Sequence, residues 1–99
     1  RTTSRRYKKK DMKKKVDPFL LIVTMEECGE LIQACSKLYR HGNKKTERKM
    51  VSEEVGDVLA MITLLEEAGI VDLERANKKR LARELKHRGM INGKMDKRK

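Results

Sequence analysis

The sequence predicts an all-α fold: an antiparallel helical hairpin followed by a third helix. Three observations predict it. Apolar residues through the middle of the chain recur at spacings of three and four, the period of a helix face rather than of a strand. Asp17-Pro18, Gly42, Gly69, Asp72 and Gly89 divide that stretch with start and stop signals. With 99 residues, the chain holds one small domain and not two independent cores.

The first helix begins at Pro18, with Asp17 as its N-cap and proline at the first helical position. Leu21, Met25, Cys28, Ile32, Cys35 and Tyr39 form one face of it. Gly42, just after Arg40-His41, supplies the left-handed C-terminal residue. The second helix is expected from Thr46 or Glu47, with Val51, Val55, Val58, Ile62 and Leu65 repeating the spacing until Gly69 ends it. Asp72 caps a shorter third helix that reaches His87 or Arg88 and is closed by Gly89.

Charge draws the same boundaries. The chain carries a net charge of +11. Residues 1–16 hold nine Lys/Arg against one Asp, and residues 90–99 hold four against one, leaving thirteen of each sign for 17–89. The expected organisation is a basic N-terminal tail (1–16), a neutral helical domain (17–89) and a basic C-terminal tail (90–99). Such tails can touch polyanions without sequence preference, or simply stay solvated.

Other classes are excluded or disfavoured. Aromatic content of 3% with no Trp argues against a base-stacking surface. No run approaches the ~18 apolar residues of a membrane span and no signal peptide opens the chain, so a soluble, cytoplasmic protein is expected. Cys28 and Cys35 sit seven apart on one helix, about 10.5 Å between Cα atoms, too far for a bridge. They read as reduced core thiols. Cys28, Cys35, His41 and His87 lack the spacing of a zinc site. A domain this small buries roughly 60–65% of its unfolded surface, which favours self-association.

The informative feature is a repeated acidic pattern. Met25-Glu26-Glu27-Cys28-Gly29-Glu30-Leu31-Ile32 aligns with Ser52-Glu53-Glu54-Val55-Gly56-Asp57-Val58-Leu59, 27 residues on. Glu27 and Glu30 project from one side of the first helix, on an arc shared with Val23, Leu31 and Ala34. Glu54 and Asp57 share an arc with Met50, Val58 and Met61. Carboxylates among aliphatics face an interior, where an unpaired negative charge costs several kcal/mol unless a cation meets it. Packed antiparallel, the helices bring all four to one level as an oxygen-donor set for a hard cation, Mg²⁺ or Mn²⁺. Gly29 and Gly56 each cost about 1 kcal/mol in a helix interior, which suggests that a backbone or ligand approaches closely there. Paired or solvated acids are the competing reading.

At these residues the chain resembles a known family. Glu27-x-x-Glu30 followed by Glu54-x-x-Asp57 is similar to the ExxE…ExxD signature of the MazG-like, all-α nucleoside triphosphate pyrophosphohydrolases. Arg75-Ala76-Asn77-Lys78-Lys79-Arg80-Leu81-Ala82-Arg83 resembles the family's third-helix stretch at Ala76, Asn77, Lys79 and Arg83. Arg80 stands where the pattern has an aromatic, and Ala82 where it has an Arg. The resemblance covers about residues 19–89. It implies hydrolysis of a nucleoside triphosphate to the monophosphate and pyrophosphate. Glu27, Glu30, Glu54 and Asp57 would be the catalytic Mg²⁺ ligands, and Asn77, Lys79 and Arg83 the phosphate and sugar contacts. It further implies a homodimer or homotetramer in which hairpins of different subunits complete a four-helix bundle. Glu26 or Glu53 could serve as base and Lys37 or Arg40 could reach phosphate, although a solvated position suits each of them at least as well. The aromatic-His pair typical of phosphoribosyl-ATP pyrophosphohydrolases is replaced by Val58-Leu59-Ala60-Met61, which disfavours that branch.

Two other classes compete. A helical nucleic-acid-associated protein would explain the basic tails but leaves the acid pairs unexplained, and no helix offers a basic stripe with base-reading residues. A non-catalytic helical interaction module would bind no Mg²⁺.

Overall fold

The structure is a computed structural model and describes residues 16–98, with side chains placed as far as Asn92. The basic stretch at 1–15 lies outside the described residues. Three helices follow one another: α1 (Pro18–His41), α2 (Lys45–Glu67) and α3 (Leu73–Arg98). There is no strand among the described residues.

The Asp17 carboxylate accepts the Phe19 N–H at 3.0 Å, with Pro18 opening α1 as expected. α1 stops at Gly42, whose N–H donates to the Leu38 carbonyl at 2.9 Å. Its φ of 93° is positive, but its ψ of 167° is extended rather than left-handed helical. That corner of backbone space belongs essentially to glycine. α2 starts at Lys45, slightly before the expected Thr46. No side chain caps it; instead Arg48 Nη1 donates to the Asn43 carbonyl and to Asn43 Oδ1, both at 2.9 Å. Glu47 accepts from the Thr46 hydroxyl at 2.7 Å and lies 3.0 Å from His41 Nδ1, tying the two helix ends together. At the other end, the Ile70 N–H reaches the Leu65 carbonyl and the Gly69 N–H the Glu66 carbonyl, with φ 80° at Gly69. This is a complete Schellman closure.

α3 is capped by Asp72, whose Oδ1 accepts from the N–H groups of Glu74 and Arg75. The expected end at His87 or Arg88 is corrected: the helix runs through Gly89 to Arg98, so the segment from residue 90 continues it. Gly89 has no positive φ. A glycine inside a helix costs only about 1 kcal/mol, and without a left-handed turn it does not stop one.

α1 and α2 pack along each other, while α3 barely touches the hairpin. The radius of gyration is 17.4 Å, against about 12 Å for a compact chain of this length. Among the described residues only Ala34 and Met61 are buried hydrophobics. The facing sides consist of Leu20, Val23, Glu27, Leu31, Ala34 and Leu38 on α1, and Val51, Glu54, Val58, Met61 and Leu65 on α2. The stripe from Leu21 to Tyr39 is therefore not the hairpin contact. It is exposed, Met25 at 65%, Ile32 at 68% and Tyr39 at 89%, and Cys28 and Cys35 on it are exposed free thiols rather than core ones. On α2, Val55, Leu59 and Ile62 are exposed too. At about 100° per residue, both exposed stripes turn to the same broad side of the antiparallel hairpin, and Glu30 and Asp57 turn to the other. No described helix is long and apolar enough to cross a membrane.

Candidate metal centre

Both acid pairs sit near the middle of their helices, at one level of the hairpin. Ala34 on α1, 2% exposed, is buried two turns along the same face as Glu27. Glu27, Glu30, Glu54 and Asp57 each offer a carboxylate oxygen, and the four oxygens lie within 4.8 Å of one another. Glu27 and Glu54 are half-buried between the helices, whereas Glu30 and Asp57 are exposed.

No cation among the described residues neutralises this cluster. Among the described residues, the ion pairs join His41 to Glu47 and Arg80 and Arg88 to Glu84, and none involves the four acids. Glu27 Oε1 and Glu54 Oε1 are shut off from solvent and have no hydrogen-bond partner. The electrostatics follow. Burial pushes the Glu27 carboxyl above the ordinary carboxylate range, and the charges of Glu30 and Asp57 push it further. Glu54 is raised for the same reasons in the same order. Two half-buried, orphaned oxygens with raised proton affinity are what a missing positive charge leaves behind.

The donor set fits a hard divalent cation. Four carboxylate oxygens gathered this closely could reach one small, hard cation. All-oxygen donors favour Mg²⁺ or Mn²⁺ over softer metals.

The third-helix residues are placed differently. Asn77, Lys79 and Arg83 are exposed on α3, and no hydrogen bond or ion pair among the described residues links them to the four acids. Asn77 Oδ1 accepts from Arg80 Nε at 3.4 Å, and Arg80 itself holds Glu84 at 2.8 Å. One chain thus assembles the carboxylates without bringing these groups against them. Glu26, Glu53 and Lys37 are exposed on the helix surfaces, as is Arg40, whose Nε donates to Ser36 Oγ. The close approach expected at Gly29 and Gly56 is absent within the chain: a Cβ at either would meet open space. The arc on which the sequence placed Ala34 with Glu27 is the buried one.

The chain is thus an all-helical protein whose hairpin brings two ExxE/D pairs together as one acidic, oxygen-donor site. The chain matches the MazG nucleotide pyrophosphohydrolase domain over residues 19–88 and belongs to that family. No curated protein and no solved structure matches it.

Proposed function

We infer that this chain is a Mg²⁺-dependent nucleoside triphosphate pyrophosphohydrolase, converting (d)NTP and water to (d)NMP and pyrophosphate. The observation that carries the reading is the cluster of four carboxylates with two orphaned, partly desolvated oxygens, in a chain of the MazG family. Glu27, Glu30, Glu54 and Asp57 would hold the cation. When bound, Mg²⁺ or Mn²⁺ supplies neutralisation of phosphate charge and acidification of a coordinated water.

The remaining chemistry belongs to the chain's own groups. Lys79 and Arg83 take up charge on the phosphates, and Asn77 hydrogen-bonds phosphate or sugar. Preorganised donors of this kind gain most where negative charge grows on the departing pyrophosphate. Glu26 and Glu53, solvent-facing, have no part in the reaction.

The assembly follows from the same surfaces. A homodimer or homotetramer that packs hairpins into a four-helix bundle would cover the stripe of Met25, Ile32, Val55 and Leu59 and offer a route for α3 of one copy to reach a carboxylate cluster. Exposed thiols on that stripe fit a reducing compartment, the cytoplasm.

The test is pyrophosphate release from a panel of NTPs and dNTPs with Mg²⁺ or Mn²⁺, beside Glu54→Gln. Metal-dependent monophosphate formation that the variant loses supports the reading. A folded oligomer that binds Mg²⁺ and turns over no nucleotide refutes the activity; one that binds no divalent cation refutes the site.

A further inference from the structure

We propose that Phe19 and Leu64 form a platform for the base of a nucleoside triphosphate, on the same face of the hairpin as the carboxylates. The phosphate tail then points along that face towards the α1–α2 turn and Lys37. This rests on the nucleotide reading above and adds where the two ends of the substrate lie. It starts from the distribution of charge along the hairpin. All six Lys/Arg of residues 18–67 fall between Lys37 and Lys49, around the turn. Residues 18–36 and 50–67 hold no Lys, Arg or His. The carboxylates therefore stand between a cationic end and an end without cations.

The register of the hairpin places the other groups. Glu27 lies against Asp57, and Glu54 against Glu30. Continued towards the open end, that antiparallel register puts Phe19 and Leu64 at one level. At about 100° per residue, Phe19 and Lys37 each fall within about 20° of Glu30 on α1, and Leu64 within about 20° of Asp57 on α2. Phe19 stands about 12 Å along α1 from Glu27, and Leu64 about 10 Å along α2 from Asp57. Lys37 stands about 10 Å from Glu30 in the opposite direction. The Phe19 ring is 69% exposed and Leu64 is exposed beside it, with Val23 half-buried one turn on from Phe19. Lys37 is exposed and makes no ion pair or side-chain hydrogen bond among the described residues.

The occupant follows from this neighbourhood. A phosphate held at the carboxylates lies about the reach of a sugar and a base from the Phe19 ring. A ligand that is flat and apolar at one end and anionic at the other matches the polarity of the face. One exposed ring takes one base by stacking; it could not hold a row of them. A second copy of the chain is drawn instead to the opposite broad side, where the longer stripe of Met25, Ile32, Val55 and Leu59 lies. Neither Phe19, Val23 nor Leu64 carries a hydrogen-bonding side chain. The platform therefore takes a base by its ring and not by its edge, and accepts purines and pyrimidines alike.

The test measures binding to the full chain, with Mg²⁺, by titration calorimetry. The ligands are the α,β-imido analogues of dATP and dTTP, which resist cleavage, and inorganic tripolyphosphate, which has no base. Phe19→Ala should weaken both nucleotides about tenfold, the size of one base–aromatic stack, and leave tripolyphosphate unchanged. Phe19→Trp should keep the parent's affinities. Lys37→Gln should weaken all three ligands alike. Equal losses of nucleotide and tripolyphosphate in Phe19→Ala, or no loss of either, would overturn the proposal. So would the same selective loss in Tyr39→Ala, whose ring lies on the opposite broad side, or binding of tripolyphosphate without any binding of nucleotide. Dissociation of an oligomer by Phe19→Ala would also overturn it, by assigning the ring to a second copy. The hydrolase reading fails separately: nucleotides then bind with the expected dependence on Phe19, and no pyrophosphate is released from the natural triphosphates. Pyrophosphate release with an unchanged KM in Phe19→Ala refutes the platform alone.

Discussion

Glu54→Gln should reverse its effect on stability according to whether a divalent cation is present. Glu54 lies half-buried with Oε1 orphaned, and Glu27, Glu30 and Asp57 carry oxygens within 4.8 Å. Without metal these charges oppose folding. The sign is set by the raised carboxyls of Glu27 and Glu54. Their folded-state pKa exceeds the unfolded one, so stability is fully present below the ordinary carboxylate range and is lost as pH rises through the raised values. In metal-free buffer at pH 7.5, the glutamine variant should therefore melt above the parent, and at pH 4 the two should converge. With Mg²⁺ the order inverts. A single ion at a hundredfold excess over its dissociation constant shifts the folding equilibrium of the parent by a factor of about 100, roughly 10–20 °C in a chain of this size. The variant has lost one of four donors and should gain little. Calorimetric scans of both proteins at both pH values, with EDTA and with Mg²⁺, provide the melting temperatures needed. A variant that melts below the parent in EDTA would show that Glu54 makes a stabilising contact. Equal Mg²⁺ shifts in both proteins would place the ion elsewhere.

Ala34→Leu overpacks a position that is 2% exposed; it should cost about 1–3 kcal/mol in urea denaturation and weaken Mg²⁺ binding by spreading the carboxylates. Met61→Ala removes the other buried side chain, 8% exposed, and should cost about 2 kcal/mol, the low end for such truncations because the flanks of the hairpin are open. Glu47, held at about 2 by the Thr46 hydroxyl and His41, contributes stability that is present above its ordinary pKa and is lost as pH falls from there towards 2. Glu47→Gln should flatten that acid limb in pH-dependent melts. Gly42→Ala places a Cβ at φ 93°, ψ 167° and should cost about 1–3 kcal/mol by denaturation, with the helices otherwise intact by circular dichroism.

The helix starts were legible because their signals are local. Asp17 before Pro18 and Asp72 before Leu73 act on N–H groups two or three residues away, and the structure shows those bonds. Gly42 and Gly69 were legible as stops because each takes a positive φ. Gly89 looked the same in the sequence, but nothing local forces a left-handed turn there, and the helix continues. The carboxylate cluster was legible from spacing: two acids three apart on each of two facing helices must converge at one level. What periodicity cannot supply is the partner of each face. The Leu21–Tyr39 stripe is as regular as a core stripe, yet Val23, Leu31 and Ala34 take the hairpin contact, because α1 is apolar on two arcs and the antiparallel partner covers only one. The same limit applies to Asn77, Lys79 and Arg83: a motif names residues but not the chain whose site they enter.

The site and the fold are in tension, and the tension has a direction. Half-buried Glu27 and Glu54 put negative charge into a contact whose only buried hydrophobic side chains, among the described residues, are Ala34 and Met61. So small an apolar contact does not readily absorb an unpaired charge, and the orphaned oxygens show that no group among the described residues relieves it. The relieving charge is not scarce in the sequence: residues 1–16 hold nine Lys/Arg and residues 73–98 hold ten, and α3 makes almost no contact with the hairpin. Keeping the two charge sets on separate elements leaves the acids open to a divalent ion and the bases open to phosphate. A metal-bound triphosphate, the substrate proposed above, carries both signs and would satisfy the two at once.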